Sequence, residues 1–458
     1  MGGMRRRWIC AAIVLGTALA GHTRVADAAN RLSDEPTPLD TSIQRPRSVL
    51  EIGGPFLDTG PLTRGFELPT GWVVQPSFLL FGTYRTAFET FERGDPQPRK
   101  TEWANRLDVF GNLQLSGTER IVIGFRPLDK SNHYLSRYWE PDARWESIAN
   151  GNVRTLFFEG EIGEMFPKLD REDHYHLDYG FSVGRQPLLM QDGLLLDDTI
   201  DSVGVVRNSL HTPWTSGLRL NLFYGWSNID RGNNLPDHSA RLYGGEAFAD
   251  FYWGSIDLDA LYVTAKPETG DGFYGGMGLV TRGAVCGETI NWTARVVGSQ
   301  AINGETPANG TGALIFTELG HTPANTLDYV YGTAFVAAGR FTSAARGPEK
   351  GGPLGRMGVL FEAFELGRYG SPLGNGAQDS WGAALGYQRF FAAFRRQVVI
   401  EVGGRDAFNN DGRKALAIGG KFQQALGKHF LVELDSFIAG QYHDSPAYGG
   451  RGEFVVKF

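Results

Sequence analysis

The sequence has few cysteines, no long apolar run beyond its N-terminal segment, and no excess of positive charge. It holds two cysteines in 458 residues, and only Cys286 lies beyond the N-terminal segment, so an intrachain disulfide is excluded there. No stretch of 18 apolar residues follows that segment, which argues against a spanning helix. The formal charge is −7, from 44 basic and 51 acidic residues. An acidic chain of this kind argues against nucleic acid as a partner.

The N-terminal segment has the pattern of a secretory signal peptide. Three arginines at positions 5–7 precede the apolar stretch Trp8–Ala20, and Ala26 and Ala28 form a small-residue A-x-A pattern. The apolar stretch is shorter than the roughly 20 residues of a spanning helix, so it is a poor membrane anchor. We therefore expect cleavage after Ala28 and export of the remaining chain.

Most of the remaining chain alternates apolar and polar side chains with a period of two residues. In the clearest segment, Leu107 and Val109 face one way while Arg106 and Asp108 face the other. A Gly-Thr-Glu turn then leads into the next segment, 120–126, so the two segments are predicted to form a hairpin. Glycine and aromatic residues are frequent, with 62 Gly and 12% aromatics. A membrane barrel with a polar interior has this composition.

The C-terminal segment favours the same fold. Tyr448, Phe454 and Phe458 lie on one face of the last predicted strand, while Arg451 and Glu453 lie on the other. An apolar outer face with a charged inner face is typical of a barrel wall. A terminal Phe458 resembles the signal of bacterial outer-membrane barrels, so we expect the barrel assembly machinery to be a partner. A soluble β-sandwich would also alternate, but it has far fewer strands.

The predicted fold class is therefore all-β, a single transmembrane antiparallel β-barrel of about 18 strands, within a range of roughly 16 to 20. Residues 1–28 are expected to be a cleaved signal peptide, 29–70 a Pro- and Gly-rich periplasmic tail or partial plug, and 71–458 the barrel in the bacterial outer membrane. A barrel of this size leaves an aqueous channel. The expected partners are outer-membrane lipid and a hydrophilic solute or polysaccharide, with no cofactor and no metal.

Side chains at the polar parity are expected to line the pore. The basic set is Arg106, Arg120, Arg126, Arg219, Arg295, Arg405 and Lys421. The acidic set is Asp108, Glu159, Glu161, Asp257, Asp259, Glu401, Glu433 and Asp435. The wall is then mixed in sign. Because Arg106, Arg120 and Arg126 belong to one predicted hairpin, we expect them to form a local anion track.

A central stretch reads FSVGRQPLLMQDGLLLDDTIDSVGVVRNSL. We expect its first strand to end near Arg185 and Gln186, because Pro187 cannot donate to a strand ladder. A loop at the barrel rim, or one folded into the mouth, then leads to a second strand over 200–209. Arg185 and Arg207 are expected at the channel mouth.

Four aspartates in this stretch raise the question of a calcium site. Their spacing does not fit the calcium loop of a helix–loop–helix unit, which leaves a surface calcium site as an open alternative. The residues are Asp192, Asp197, Asp198 and Asp201.

The same stretch resembles the corresponding part of alginate export proteins and related porin-like outer-membrane barrels. The shared features are a strand end at Gly184-Arg185-Gln186 and a second strand carrying Asp201 and Arg207, and NRLDVFGNLQLSGTERIVIGFRP is similar as well. The resemblance implies a barrel of about 18 strands and transport across the outer membrane. The chain departs from the family in the wide spacing of Asp201 and Arg207. It also lacks the arginine excess that a polyuronate conduit needs.

The expected function is a passive outer-membrane channel of the alginate-export-like group, carrying a polysaccharide or another hydrophilic solute. A general, sugar or organic-anion uptake porin is the alternative, and a barrel hydrolase is a third class. No Gly-x-Ser-x-Gly, His-Glu-x-x-His or P-loop pattern occurs. His174 and His176 share a strand face, but no third metal ligand accompanies them in the sequence. We therefore expect no enzymatic activity.

Overall fold

The computed structural model describes residues 48–53, 65–94, 97–169, 177–285, 287–409 and 414–458. The predicted signal peptide, most of segment 29–70, Cys286, His174 and His176 lie outside these ranges. The helical elements described are the α-helix Ile162–Met165 and the 3-10 turn Gln191–Gly193. Neither is long and apolar enough to cross a membrane.

Eighteen antiparallel wall strands close into one barrel within the described ranges. They are β1 Ser77–Glu92, β2 Lys100–Gln114, β3 Arg120–Phe125, β4 Val153–Glu161, β5 Tyr179–Met190, β6 Leu196–Thr212, β7 Thr215–Ser227, β8 Arg241–Phe251, β9 Gly254–Thr264, β10 Gly272–Val285, β11 Glu288–Ala301, β12 Gly312–His321, β13 Tyr329–Phe341, β14 Ala377–Phe391, β15 Arg396–Ala407, β16 Ala415–Leu426, β17 Phe430–Gln441 and β18 Ala447–Lys457. Strand β18 pairs with β1 and closes the sheet. The predicted barrel and its strand number are confirmed.

Shorter strands accompany the wall. They are Leu50–Ile52, Phe66–Glu67, Val73–Val74, Asp129–Lys130, His133–Glu140, Arg144–Glu146, Ile229–Asp230, Pro236–Asp237 and Ala345–Arg346. Leu50–Ile52 pairs with the start of β1, so this part of segment 29–70 meets the wall. His133–Glu140 pairs with residues 101–105 of β2, a part of that strand that the shorter β3 does not reach.

The two ends of the barrel differ in the length of their connections. At one end, called here the short-turn end, adjacent strands follow closely, as from β6 to β7 and from β8 to β9. The C-terminal Phe458 lies at this end, where its backbone N–H donates to Gly82 and its ring fills the space beside the Gly82 Cα. The opposite end, the long-loop end, carries the connections 126–152 and 342–376. Barrels of the outer membrane place their short turns in the periplasm.

The outer face of the wall is apolar. Large side chains at alternate strand positions are exposed, for example Leu220 and Leu222 on β7, Ile400 and Val402 on β15, and Leu416 on β16. Their strand neighbours of opposite parity point inward. A continuous belt of this kind is unfavourable in water and is suited to lipid.

Two segments leave the wall and fold into the barrel interior. The pairing of β4 with β5 ends at Arg185, and the pairing of β6 with β7 ends at Asp201, while β5 and β6 stay paired to the Met190–Leu196 level. Residues 186–200, called the inward hairpin, therefore stand free of the wall. The connection 342–376, called the lumen loop, lies against this hairpin, since Leu196 and Asp197 pair with Ala345–Arg346.

The apolar core of the molecule lies where these two segments meet inside the barrel. Leu194 and Leu195 of the inward hairpin are fully buried, as are Leu354 and Leu360 of the lumen loop. They belong to one cluster with inward aromatic side chains of the wall. Apolar contact therefore holds both segments inside a barrel that would otherwise contain only water.

The expected strand end near Gln186 is wrong, because β5 continues to Met190. Pro187 pairs with Thr199 of β6 within the inward hairpin. Its other edge has already left β4, whose last partner is Arg185. A proline is tolerated on such an edge because no neighbouring strand needs its missing N–H.

Candidate functional site

The barrel interior holds most of the polar side chains predicted to line the pore. Arg106 and Arg126 meet at Asp108, with Nε···Oδ distances of 2.9 and 2.7 Å. Arg126 also donates to Glu349 of the lumen loop at 2.9 Å. Arg120 lies apart from both, near the short-turn end, where it pairs with Glu159 at 2.5 Å.

The expected anion track of three arginines therefore needs correction. Six residues of extended strand span about 20 Å, so Arg120 and Arg126 share a face without being neighbours. All three guanidiniums are paired with carboxylates. Two of them serve to hold the wall and the lumen loop together.

The lumen loop is also anchored to the wall by Glu401 of β15. This carboxylate is fully buried and accepts hydrogen bonds from the backbone N–H groups of Val359 and Leu360, at 3.1 and 2.9 Å. The Tyr331 hydroxyl of β13 donates to it at 2.5 Å. The predicted inward direction of Glu401 matches its position, and its role is to fix the loop backbone.

Lys421 of β16 forms a second anchor. Its Nζ lies 2.7 Å from Glu362 of the lumen loop, 3.4 Å from Glu433 and 3.7 Å from Asp435. The neighbouring Arg451 lies 3.6 Å from Asp435. Lys421 thus links the loop carboxylate Glu362 to the charged side chains of the wall.

The tip of the inward hairpin is held by Arg295 of β11. Arg295 donates to Asp192 at 2.6 Å and to Gln191 at 3.0 Å, and Gln191 donates to Asp259 at 2.6 Å. Asp257 lies 3.6 Å from Arg295. The predicted inward residues of this wall therefore hold the hairpin across the lumen.

Three carboxylates on β8 and β9 lie close together. Glu246, Asp257 and Asp259 have oxygens within 4.8 Å of one another. Arg219 is 3.0 Å from Glu246, and Arg295 faces Asp257, so guanidiniums supply the compensating charge. This arrangement is an ion-pair network of the wall.

The remaining predicted side chains lie at the two ends of the barrel. Arg405 donates to the Gly376 carbonyl at 2.8 Å and to Ser380 at 2.9 Å, at the long-loop end. Glu161 and Arg219 line a cavity of about 440 Å³ at the short-turn end.

Arg185 and Arg207, both expected at the channel mouth, lie toward opposite ends of the β5–β6 hairpin. Arg185 forms a bidentate pair with Asp201, at 2.7 and 2.9 Å, where the hairpin leaves the wall. Arg207 donates to the Asp178 carbonyl at 2.6 Å and stacks over Tyr179 near the short-turn end. The two arginines therefore belong to different ends of the barrel.

The glycine of the Gly-Arg-Gln motif has a local structural cause. Gly184 has φ +125°, and a Cβ on it would stand 2.2 Å from the Leu156 carbonyl oxygen of β4. Only glycine fits this close approach without displacing the neighbouring strand. The motif therefore marks the place where the hairpin bends inward.

The four aspartates of the central stretch bind four different sets of partners. Asp192 pairs with Arg295 and Asp201 with Arg185, Asp197 lies near Lys350 and Arg356, and Asp198 accepts from the Thr199 and Asp230 backbone N–H groups. Each therefore serves a structural contact of the inward hairpin. Their arrangement gives no support to the open calcium alternative.

Of the cavities that the lumen loop lines together with the wall, two carry the most charged side chains. The upper cavity, about 230 Å³, opens toward the long-loop end, and the lower cavity, about 610 Å³, lies toward the short-turn end. The charged residues of the upper cavity are Arg126, Lys130, Arg154, Arg185, Asp129 and Glu349. Those of the lower cavity are Arg85, Arg356, Lys421, Glu318, Glu362, Glu365 and Glu433. The upper cavity has a basic excess, and the lower cavity is mixed.

Several of these cavity residues were missed by sequence reasoning. Arg154 lies in the short strand β4, and Glu349 and Arg356 belong to the lumen loop, which has no alternation to reveal an inward face. Glu318 points inward from β12, where Ile315 and Leu319 point outward. The alternation of these residues in the sequence could have identified it.

The pKa of Glu349 responds to two opposing effects. Burial alone would raise it, but Arg154 and Arg126 outweigh burial and hold the pKa well below its usual range. A carboxylate with a lowered folded-state pKa stabilises the fold at pH values above its usual pKa. That stabilisation declines as the pH falls below the usual pKa and is lost once the pH has fallen through the folded-state pKa.

We therefore expect Glu349→Gln to lower the free energy of unfolding at pH 6. The difference in this free energy between wild type and variant should be smaller by about 1–2 kcal/mol at pH 3. Unfolding by urea in detergent micelles at both pH values measures the gap. The exposed loop variant Glu268→Gln is the control and should shift stability by less than about 0.5 kcal/mol at either pH. A Glu349→Gln gap that stays constant with pH would contradict the ion pair.

No protein-family model matches the sequence, and no curated protein is similar to it. The fold is similar to solved structures. OpdK from Pseudomonas aeruginosa, solved with vanillate, is 12% identical with a TM-score of 0.55, over 83% of this chain and 98% of that chain. A BenF-like porin from Pseudomonas fluorescens Pf-5 is 10% identical with a TM-score of 0.58, over 83% and 98%.

A third similar structure, OccK2 (OpdF) from Pseudomonas aeruginosa, is 10% identical with a TM-score of 0.57, over 83% of this chain and 97% of that chain. At these identities the likeness establishes a shared fold alone. The comparisons agree with the predicted barrel. They do not confirm the resemblance to alginate export proteins.

Proposed function

We propose that the protein is a passive outer-membrane channel for small hydrophilic solutes that carry a carboxylate, and that it has no catalytic step. The observation that carries this proposal is the interior of the barrel. A closed wall of 18 strands is wide enough for an aqueous channel. The lumen loop and the inward hairpin narrow it to polar cavities of small-molecule size.

The proposed location follows from the surface and the two termini. The apolar outer belt is suited to a bilayer. The predicted signal peptide would direct export of the chain, and the barrel assembly machinery would recognise the last strand with Phe458. Both remain predictions.

A small solute is favoured over a polysaccharide. A polymer needs an unobstructed bore, whereas the lumen loop is bound to one wall through Glu401 and to another through Arg126 and Arg154. The inward hairpin also reaches β11 through Arg295. Export of alginate is therefore not proposed.

The charge of the upper cavity favours an anionic group on the solute. Four basic side chains and two carboxylates line it. Lys130 is exposed there and Arg154 is partly exposed. A basic excess at the outer side of a narrow passage concentrates anions. The fold neighbour OpdK was solved with vanillate, a small carboxylate.

The double variant Lys130→Gln and Arg154→Gln tests this part of the proposal. Reversal potentials across planar bilayers at low salt should show the anion/cation permeability ratio falling by about twofold or more. Lys428→Gln, which removes one positive charge from an exposed turn at the short-turn end, serves as the control and should leave the ratio close to wild type. A ratio that is equal in the double variant and the wild type would overturn the assignment of the upper cavity.

A further inference from the structure

The lower cavity contains one cation whose charge is poorly compensated. Arg356 of the lumen loop is 45% exposed, and its guanidinium meets one carboxylate, Asp197, at 3.4 Å in the described structure. The other cations of this cavity are better neutralised. Lys421 has three carboxylates within 4 Å, and Arg85 is bound to Glu453.

The same cavity contains one carboxylate whose charge is poorly compensated. Glu318 points inward from β12, and no cation or hydrogen-bond donor among the described residues lies within bonding distance of it. Glu362 and Glu433 lie 2.7 and 3.4 Å from the Lys421 ammonium, and Glu365 lies 2.5 Å from Lys350. Arg356 is thus the cation of this cavity, and Glu318 the carboxylate, with the fewest oppositely charged partners among the described residues.

Aromatic side chains line the same cavity as these two charges. The Tyr329 and Tyr331 rings are stacked with centroids 6.0 Å apart, and Phe364 of the lumen loop also lines the cavity. The Tyr329 hydroxyl lies over Gly320, two residues from Glu318. A ring or apolar side chain of a solute therefore has a surface to pack against.

We infer that the lower cavity binds a zwitterion, a small solute with both a carboxylate and an ammonium group, such as an α-amino acid with an aromatic side chain. The Arg356 guanidinium receives the carboxylate, and the Glu318 carboxylate receives the ammonium. The volume of about 610 Å³ suits a ligand of this size. The inference rests on the proposed channel function and narrows its substrate class.

Two matched solutes test the inference. Phenylalanine and phenyllactate share one skeleton and differ in having an ammonium or a hydroxyl beside the carboxylate. A solute that occupies the lower cavity blocks part of the ion current through a single channel. In the wild type, phenylalanine should half-block the current at a concentration about five- to tenfold lower than phenyllactate.

Variants separate the two roles. Glu318→Gln should remove the difference between the solutes, while Arg356→Gln should weaken the block by both. Glu288→Gln, an exposed carboxylate at the short-turn end, is the matched control and should behave as wild type. A unitary conductance that differs from the wild-type value by less than about one third would show that each variant folds as a channel.

Two results overturn the inference: equal block by both solutes in the wild type, or a preference that survives Glu318→Gln. Failure of the channel proposal has a different signature, because the wild type would then carry no unitary current at all.

Discussion

Shortening the lumen loop is expected to raise the unit conductance on the order of two- to threefold, because an unobstructed barrel of this strand number holds a wide aqueous bore. The deletion removes 356–372 and joins the flanks by a short glycine linker. The two sides of the loop base already touch, since the Leu354 N–H donates to the Asn375 carbonyl at 2.9 Å. The shortened connection can therefore close without reaching across the lumen.

The expected size of this effect follows from the contacts that are removed. The deleted segment contains Glu362, which binds Lys421 of β16, and Arg368, which binds Glu102 of β2 at 2.7 Å. It also contains Val359 and Leu360, which Glu401 holds. Each contact holds the loop inside the barrel, so removal of the loop segment widens the open cross-section of the channel.

Planar-bilayer recordings measure the conductance, and retention of the folded barrel is checked by its resistance to unfolding in detergent at room temperature. The size limit for uncharged sugars in liposome swelling should rise together with the conductance. A folded variant with wild-type conductance would show that the lumen loop does not narrow the passage.

Replacement of Arg451 by leucine is expected to lower the free energy of unfolding by about 3–5 kcal/mol, because it leaves buried carboxylates without their cation. The Arg451 side chain is fully buried and lies within 4 Å of Glu89, Asp435 and Glu453. Its guanidinium is also 5.0 Å from the Phe364 ring of the lumen loop. The residue therefore supports both the closing strand β18 and the loop.

Arg120→Leu provides the matched control. Arg120 is also an inward arginine paired with a glutamate, but its side chain is 42% exposed. Exposed ion pairs contribute about 0–1 kcal/mol, so this variant should remain close to wild type. Urea unfolding in detergent micelles compares the two, and equal losses of stability would refute the distinction between a buried and an exposed pair.

The sequence predicts the barrel because its signal is local. Alternation at period two, as in Leu107 and Asp108, needs no knowledge of distant residues, and the hairpin of β2 and β3 follows from the short turn between them. The inward parity of Glu401, Arg295 and Lys421 follows from the same pattern. Side-chain direction could therefore be predicted for most of the wall.

The interior could not be predicted in the same way. Residues 342–376 form little regular structure, and their partners are distant in sequence, as for Arg368 with Glu102. Parity gives the face of a strand but not the height along it, which is why Arg120 and Arg126 were expected to act together. Pairing with loop residues is a tertiary property that alternation does not encode.

The central stretch, residues 181–210, shows what the sequence predicts and what it does not. Its Gly-Arg-Gln motif has a clear physical cause, because Gly184 lets β5 approach β4 where the hairpin bends inward. That cause is a backbone requirement and carries no information about a solute. A resemblance based on such residues therefore indicates a barrel with an inward hairpin more reliably than it indicates alginate.

The central claim is that this barrel conducts passively through a passage narrowed by its own loop. Single-channel recording of the purified full-length protein in planar bilayers tests that claim most directly. The structure predicts discrete current steps that are linear in voltage, need no energy source, and become larger when 356–372 are removed. A folded wild-type protein that inserts into the bilayer and shows no steps would contradict the claim.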